Sequence, residues 1–274
     1  MSIAPEAGGS VYSGSDGRCA VRRPLIAGNW KMHKTPEETE AFIADFLARA
    51  QPEGEAGMLL IPPFTSLDRA GRLLEGSGVD LGAQDLHPEP KGAFTGAISG
   101  AMLAATGCRY VLVGHSERRH VFGDDDATVG RKLRAALTVG LSPILCVGET
   151  LDDRRSELTN AVVASQLAGA LDGVERSEMA SVTVAYEPVW AIGTGETATP
   201  EQAQEAIASI RLWLCDRFDA EVAEATRILY GGSVKPDTAE ELLGQPDVDG
   251  ALVGGASLDP EAFASIVAAA PGAA

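Results

Sequence analysis

One alternation governs the chain from residue 25 to its end: a short apolar run, then a stretch with the spacing of an amphipathic helix. The runs are Leu25–Asn29, Met58–Ile61, Val79–Ala83, Tyr110–Val113, Pro143–Val147, Val182–Tyr186, Ile228–Tyr230 and Ala251–Val253. Helical patterns follow over Glu37–Ala50, Leu67–Glu75, Ala101–Thr106, Ala127–Val139, Glu157–Leu171, Pro200–Phe218, Pro236–Leu243 and Pro260–Ala269. The first has a marked start: Thr35 suits the N-cap, Pro36 the first helical position, and Glu38 completes a capping box. Strands that alternate with helices pair in parallel. Eight such units in about 250 residues argue for a single closed (β/α)8 barrel. An open doubly wound sheet would need a glycine-rich fingerprint after its first strand, where this chain has Asn29-Trp30-Lys31.

No composition break marks a linker, so residues 23–274 read as one barrel domain. Residues 1–22 are rich in Gly, Ser and Ala and hold no continuous apolar segment, which suits a flexible N-terminal extension and excludes an ordinary secretory signal. No apolar run reaches the roughly 18 residues of a membrane span. The 22 Lys and Arg against 39 Asp and Glu give a net charge of −17. That balance opposes nucleic-acid binding, which rests on phosphate neutralisation by basic side chains. It also means that a site for an anionic ligand must rely on backbone N–H groups and a few placed cations. Cys19, Cys108, Cys146 and Cys215 form no C-x-x-C pair, so neither a disulfide framework nor a zinc site is expected, and a reducing cytoplasm is the default.

A barrel of this kind carries its chemistry on the loops after the strands, and polar residues cluster there. Asn29 and Lys31 follow the first run, His115 and Glu117 the fourth, Glu187 the sixth, Gly231-Gly232-Ser233 the seventh and Gly254-Gly255 the eighth. The two glycine pairs either serve turns of positive φ or let the backbone approach a phosphate and leave its N–H groups free. After Glu187 comes an apolar segment with Val189, Trp190 and Ile192, fixed at one end by Pro188 and freed at the other by Gly193 and Gly195. Such a segment suits a lid that excludes water, and a carboxylate beneath it would become more basic by losing solvation.

Five segments taken together resemble the signature blocks of the triosephosphate isomerase family: Gly28-Asn29-Trp30-Lys31-Met32, Gly114-His115-Ser116-Glu117-Arg118-Arg119, Ala185 through Gly195, Tyr230-Gly231-Gly232-Ser233-Val234 and Leu252-Val253-Gly254-Gly255-Ala256. They occur in the family's order, and the similarity spans about residues 24–270. The resemblance implies a TIM barrel that interconverts dihydroxyacetone phosphate and glyceraldehyde 3-phosphate, in glycolysis and gluconeogenesis, without a cofactor or metal. It implies Glu187 as the base that moves the proton between C1 and C2, His115 as the neutral imidazole that polarises the carbonyl, and Lys31 as the cation that holds substrate. Asn29 would add to the oxyanion pocket, Glu117 would stand behind Lys31, and Gly193, Ser233, Gly254 and Gly255 would clamp the phosphate. The block Gly92–Ser99 resembles the family's protruding third loop, which implies a homodimer with Thr95 at the inserted tip.

Some positions depart from the family pattern. Ala97 stands where a Glu is usual, which removes an expected intersubunit partner of Arg118. Glu196 replaces a Lys in the lid block, and His33 follows Met32 where Asn is commoner. The rival readings are an isomerase of a four-carbon tetrulose phosphate, another barrel enzyme acting on sugar phosphates, and a barrel kept only as a binding scaffold. A scaffold would be expected to have lost one of Lys31, His115 or Glu187, and this chain keeps all of them.

Overall fold

A computed structural model describes residues 22–50, 56–191 and 198–271. Eight strands close into a parallel barrel in sequence order: β1 Leu25–Asn29, β2 Gly57–Ile61, β3 Val79–Ala83, β4 Tyr110–Val113, β5 Ser142–Val147, β6 Thr183–Tyr186, β7 Ile228–Tyr230 and β8 Gly250–Val253. Closure is the pairing of β1 with β8, Leu25 beside Gly250 through Gly28 beside Val253. The helices are α1 Pro36–Arg49, α2 Leu67–Leu74, α3 Gly100–Ala105, α4 Ser116–His120, α5 Asp126–Thr138, α6 Leu151–Arg155, α7 Thr159–Ala170, α8 Pro200–Arg217, α9 Ala220–Ala225, α10 Ala239–Leu243 and α11 Pro260–Ala268. No helix among the described residues is long and apolar enough to cross a membrane.

The capping box of α1 forms as its sequence demands: Thr35 Oγ1 accepts from the Glu38 N–H, and Glu38 accepts from the Thr35 N–H at 2.7 Å. Elsewhere the structure corrects the sequence reading. The pattern assigned to Glu157–Leu171 divides into α6 and α7, because Glu157 adopts φ 58°, which no helix continues through. α10 begins at Ala239, three residues after Pro236. Arg22, placed in the extension by its composition, is pinned to the barrel by Asp249 at 2.5 Å and Glu224 at 2.9 Å. Residues 1–21 lie outside the described residues.

Strand alternation divides the core into two shells. Leu25, Ala27, Leu59, Ile61, Tyr110, Leu112, Ile144, Cys146, Ala185, Leu229 and Leu252 fill the barrel interior. Their neighbours, among them Ile26, Leu60, Val111, Leu145, Val184, Ile228 and Val253, pack outward against Phe42, Phe46, Leu133, Leu167, Ile207 and Phe263. At the end of the barrel where the strands begin, the buried Arg211 of α8 binds Asp247 at 2.6 Å and Asp249 at 2.7 Å and donates to the carbonyls of Ala223 and Thr226. That network ties α8 and α9 to β7 and β8.

Candidate active site

The interior alternation generates the site at the opposite end. Two residues beyond Ala27 is Asn29, two beyond Ala185 is Glu187, two beyond Leu229 is Gly231 and two beyond Leu252 is Gly254. The next inward layer after the apolar ones is therefore polar or bare, and it floors a cavity of about 450 Å³. Its walls include Asn29, Lys31, His115, Glu187, Gly231 to Lys235 and Gly254 to Ala256. The sequence-assigned residues Asn29, Lys31, His115, Glu187, Ser233, Gly254 and Gly255 thus meet in one place. Gly193 lies outside the described residues, as do Gly195, Glu196 and Ile192 of the expected lid.

His115 departs from the two-residue rule because Gly114 turns the chain at φ 70°, where a Cβ would stand 2.8 Å from Val129 Cγ1. The turn makes His115 the N-cap of α4, with its Nδ1 accepting the Glu117 N–H at 3.1 Å. A nitrogen that accepts a backbone N–H carries no proton, so the neutral ring holds its proton on Nε2. That nitrogen faces Glu187 Oε1 at 3.0 Å. The other carboxylate oxygen, Oε2, accepts the Ser116 N–H at 2.9 Å.

The loss of solvation expected for Glu187 is present, but its partners offset it. Burial raises its pKa, but His115, the Ser116 N–H and Lys31 together outweigh burial and hold it below the ordinary carboxylate value. Burial likewise lowers the pKa of His115, and the facing Glu187 charge more than offsets this, raising it.

Lys31 sits at φ 51°, its N–H bound to Asn29 Oδ1 at 3.0 Å and its carbonyl to Gln84 Nε2 at 2.7 Å. A lysine in the left-handed region costs about 1–3 kcal/mol and persists only where its surroundings fix it. Glu117 stands behind it as the resemblance implies, 2.7 Å from Nζ. Both side chains reach solvent, so the pair contributes about 0–1 kcal/mol and leaves the ammonium free to meet an oxyanion.

Neither glycine pair serves a turn of positive φ. Gly231 is required by packing, since its Cβ would lie 2.8 Å from Glu187 Cγ. Gly232 gives room to the Tyr230 hydroxyl, which a Cβ there would overlap. Gly254 and Gly255 are open to the cavity: a Cβ on Gly255 would meet nothing within 4 Å. The N–H groups of Ser233 and Gly254 have no acceptor among the described residues. With Lys235 on the same wall, these are the kinds of donor that an anionic ligand would need in a protein of this charge.

Sequence reasoning passed over Gln84, Ser116 and Glu149. Gln84 directly follows β3 and obeys the same strand-end rule that found the others. Ser116 acts through its backbone, which no side-chain inventory reveals. Arg118, expected to lose an intersubunit partner at Ala97, is held within its own chain by Asp85 at 3.3 Å and Asp124 at 3.4 Å.

Comparison with known proteins agrees with this geometry. A sequence profile described as triosephosphate isomerase matches residues 24–270. The triosephosphate isomerase of Symbiobacterium thermophilum is 51% identical over 250 residues, covering 91% of this chain and 98% of that protein. Those of Chloroflexus aurantiacus and Moorella thermoacetica are 51% and 53% identical over 247 residues, each covering 90% of this chain and 99% and 98% of the relative. An isomerase built on a TIM barrel, this chain belongs to the triosephosphate isomerase family.

Proposed function

We propose that the chain interconverts dihydroxyacetone phosphate and glyceraldehyde 3-phosphate, a step of glycolysis and gluconeogenesis, by proton transfer through an enediolate. The observation that carries this reading is the convergence of Glu187, His115 and Lys31 on one cavity whose wall carries the Ser233 and Gly254 N–H groups, which have no acceptor among the described residues. Abstraction of a proton α to a carbonyl needs a base, a donor at the carbonyl oxygen and a charge facing the developing oxyanion. Glu187 is the base, His115 donates from Nε2, and Lys31 with Asn29 faces the oxyanion. Ser233, Gly254 and Gly255, with Gly193, hold the phosphate. A substrate that enters displaces Glu187 from His115. This removes the interaction that lowers the carboxylate's pKa and frees the imidazole N–H for the substrate oxygen.

The protein acts as a cytoplasmic homodimer. Met32, Phe64, Val121 and Phe122 are exposed, and all but Val121 line a second cleft of about 240 Å³ that also touches Asn29, His115 and Arg118. The loop of residues 88–98, exposed over 89–96 and with Thr95 at its tip before Gly96 at φ 88°, is the segment of a second copy that fills it. Turnover of glyceraldehyde 3-phosphate, set against a four-carbon ketose phosphate, tests the substrate assignment. Preference for the triose is expected, and strong preference for the longer sugar contradicts it.

A further inference from the structure

Glu149 follows Gly148 at the end of β5 and is wholly inaccessible to solvent, yet it takes no part in the chemistry described above. A carboxylate in such a place is retained only where its lone pairs are met. Glu149 meets its own with donors drawn largely from one short stretch of chain. The Tyr186 hydroxyl lies 3.1 Å from each carboxylate oxygen. Trp190 Nε1 donates to Oε1 at 2.8 Å. The Val189 N–H donates to the Glu149 carbonyl at 3.1 Å. These residues lie one before, three after and two after Glu187, so one buried residue grips the chain on both sides of the base.

The fourth partner is a charge. Arg154 Nη1 stands 3.3 Å from Oε1, and the guanidinium lies over the Trp190 ring at 4.5 Å. Arg154 therefore holds the acceptor and one of its donors together. The platform beneath is equally constrained. Gln166 brackets Gly148 with bonds of 2.8 Å and 3.1 Å. A Cβ on Gly148 would overlap the Glu187 carbonyl oxygen. The Glu187 N–H reaches the Val147 carbonyl at 2.7 Å, and the Tyr186 carbonyl accepts the Gly231 N–H at 2.7 Å.

We infer that Glu149, with Arg154 as its counter-charge, is a positioning residue for Glu187: it fixes the segment Tyr186–Trp190 so that the base enters the cavity at one angle. Burial and the Glu149 charge keep the Tyr186 phenol protonated, so Tyr186 serves as a permanent donor. The inference rests on Glu187 acting as the base of the proposed isomerisation.

The test uses Glu149→Gln, which keeps shape and removes charge, and Arg154→Met, which keeps the apolar stem at a partly exposed site. Glu149→Gln is expected to lower kcat at least about tenfold while KM changes by less than about threefold, since a shifted base is felt mainly in the transition state. Arg154→Met is expected to act in the same direction and less strongly. In the substrate-free protein, the imidazole 15N shifts of His115 are expected to move in both variants, because they report the contact with Glu187.

A folded Glu149→Gln protein with wild-type kcat and unmoved His115 shifts overturns the inference. Should Glu149→Gln fail to fold, Arg154→Met decides: wild-type kcat together with unmoved shifts overturns it equally. The NMR measurement needs no substrate. Failure of the wild-type protein to isomerise the triose phosphate therefore counts against the proposed function, while unmoved shifts count against Glu149.

Discussion

Nε2 of His115 stands 3.0 Å from Oε1 of Glu187, while Nδ1 of the same ring accepts a backbone N–H at 3.1 Å. The base and the electrophile of the proposed reaction hold each other until substrate arrives. In the free enzyme Glu187 is burdened by burial, yet its partners keep it below the ordinary value of 4.5. Its contribution to stability is therefore present above the unfolded carboxylate pKa and is lost as pH falls through the lower folded value. In the proposed complex the carboxylate is displaced from His115 and keeps the burial. The acid limb of kcat is expected at higher pH than that of kcat/KM, since the first reports the complex and the second the free enzyme. Paired pH–rate profiles check this, and the reverse order contradicts it.

Shortening the base separates position from charge. Glu187→Asp keeps the carboxylate and withdraws it by one methylene. A displacement of about 1 Å costs on the order of 100-fold in rate. The expected result of steady-state kinetics is a kcat reduced by roughly that factor, with KM within a few-fold of wild type.

The glycines of the site divide into two kinds, and alanine distinguishes them. Gly231→Ala places a methyl 2.8 Å from Glu187 Cγ and is expected to lower kcat by about 100-fold by moving the base. Gly255→Ala meets nothing within 4 Å, so its unfolding midpoint is expected to match wild type. Its methyl instead enters the space assigned to the phosphate and raises KM. Thermal melting and kinetics on both variants check the division. A destabilised Gly255→Ala protein with unchanged KM runs against it.

The eight strands and the strand-end cluster were legible because each rests on local pattern: a short apolar run, then polar or glycine residues directly after it. The short helices α4 and α9 were not legible. Five residues such as Ser116–His120 are too few for a helical period, and α4 is set by the turn at Gly114. The role of Gly231 was also hidden, since it depends on Glu187, which stands 44 positions earlier in the chain. Glu149, Tyr186 and Trp190 likewise meet only through the pairing of β5 with β6. Burial of Glu187, which raises its pKa, follows from sequence pattern, whereas the facing His115, which turns the net direction downward, does not.

The second cleft predicts assembly. Thr95→Arg sets a long charged side chain at the tip of the loop proposed to insert into a second copy, and is expected to convert a dimer at micromolar concentration into a monomer. Loss of activity should accompany the conversion, because the cleft shares Asn29, Lys31 and His115 with the active site. Sedimentation of the wild-type and variant proteins checks this. A variant that stays dimeric rules out the loop as the contact.

The central claim is that the Glu187 carboxylate carries the substrate proton. Its most direct test follows dihydroxyacetone phosphate in deuterium oxide by NMR, with wild type and with Glu187→Gln. The wild-type protein is expected to incorporate deuterium at C1 during turnover. The amide variant, folded but without a base, is expected to exchange at least about 100-fold more slowly. Exchange at the wild-type rate in Glu187→Gln would contradict the assignment of the base.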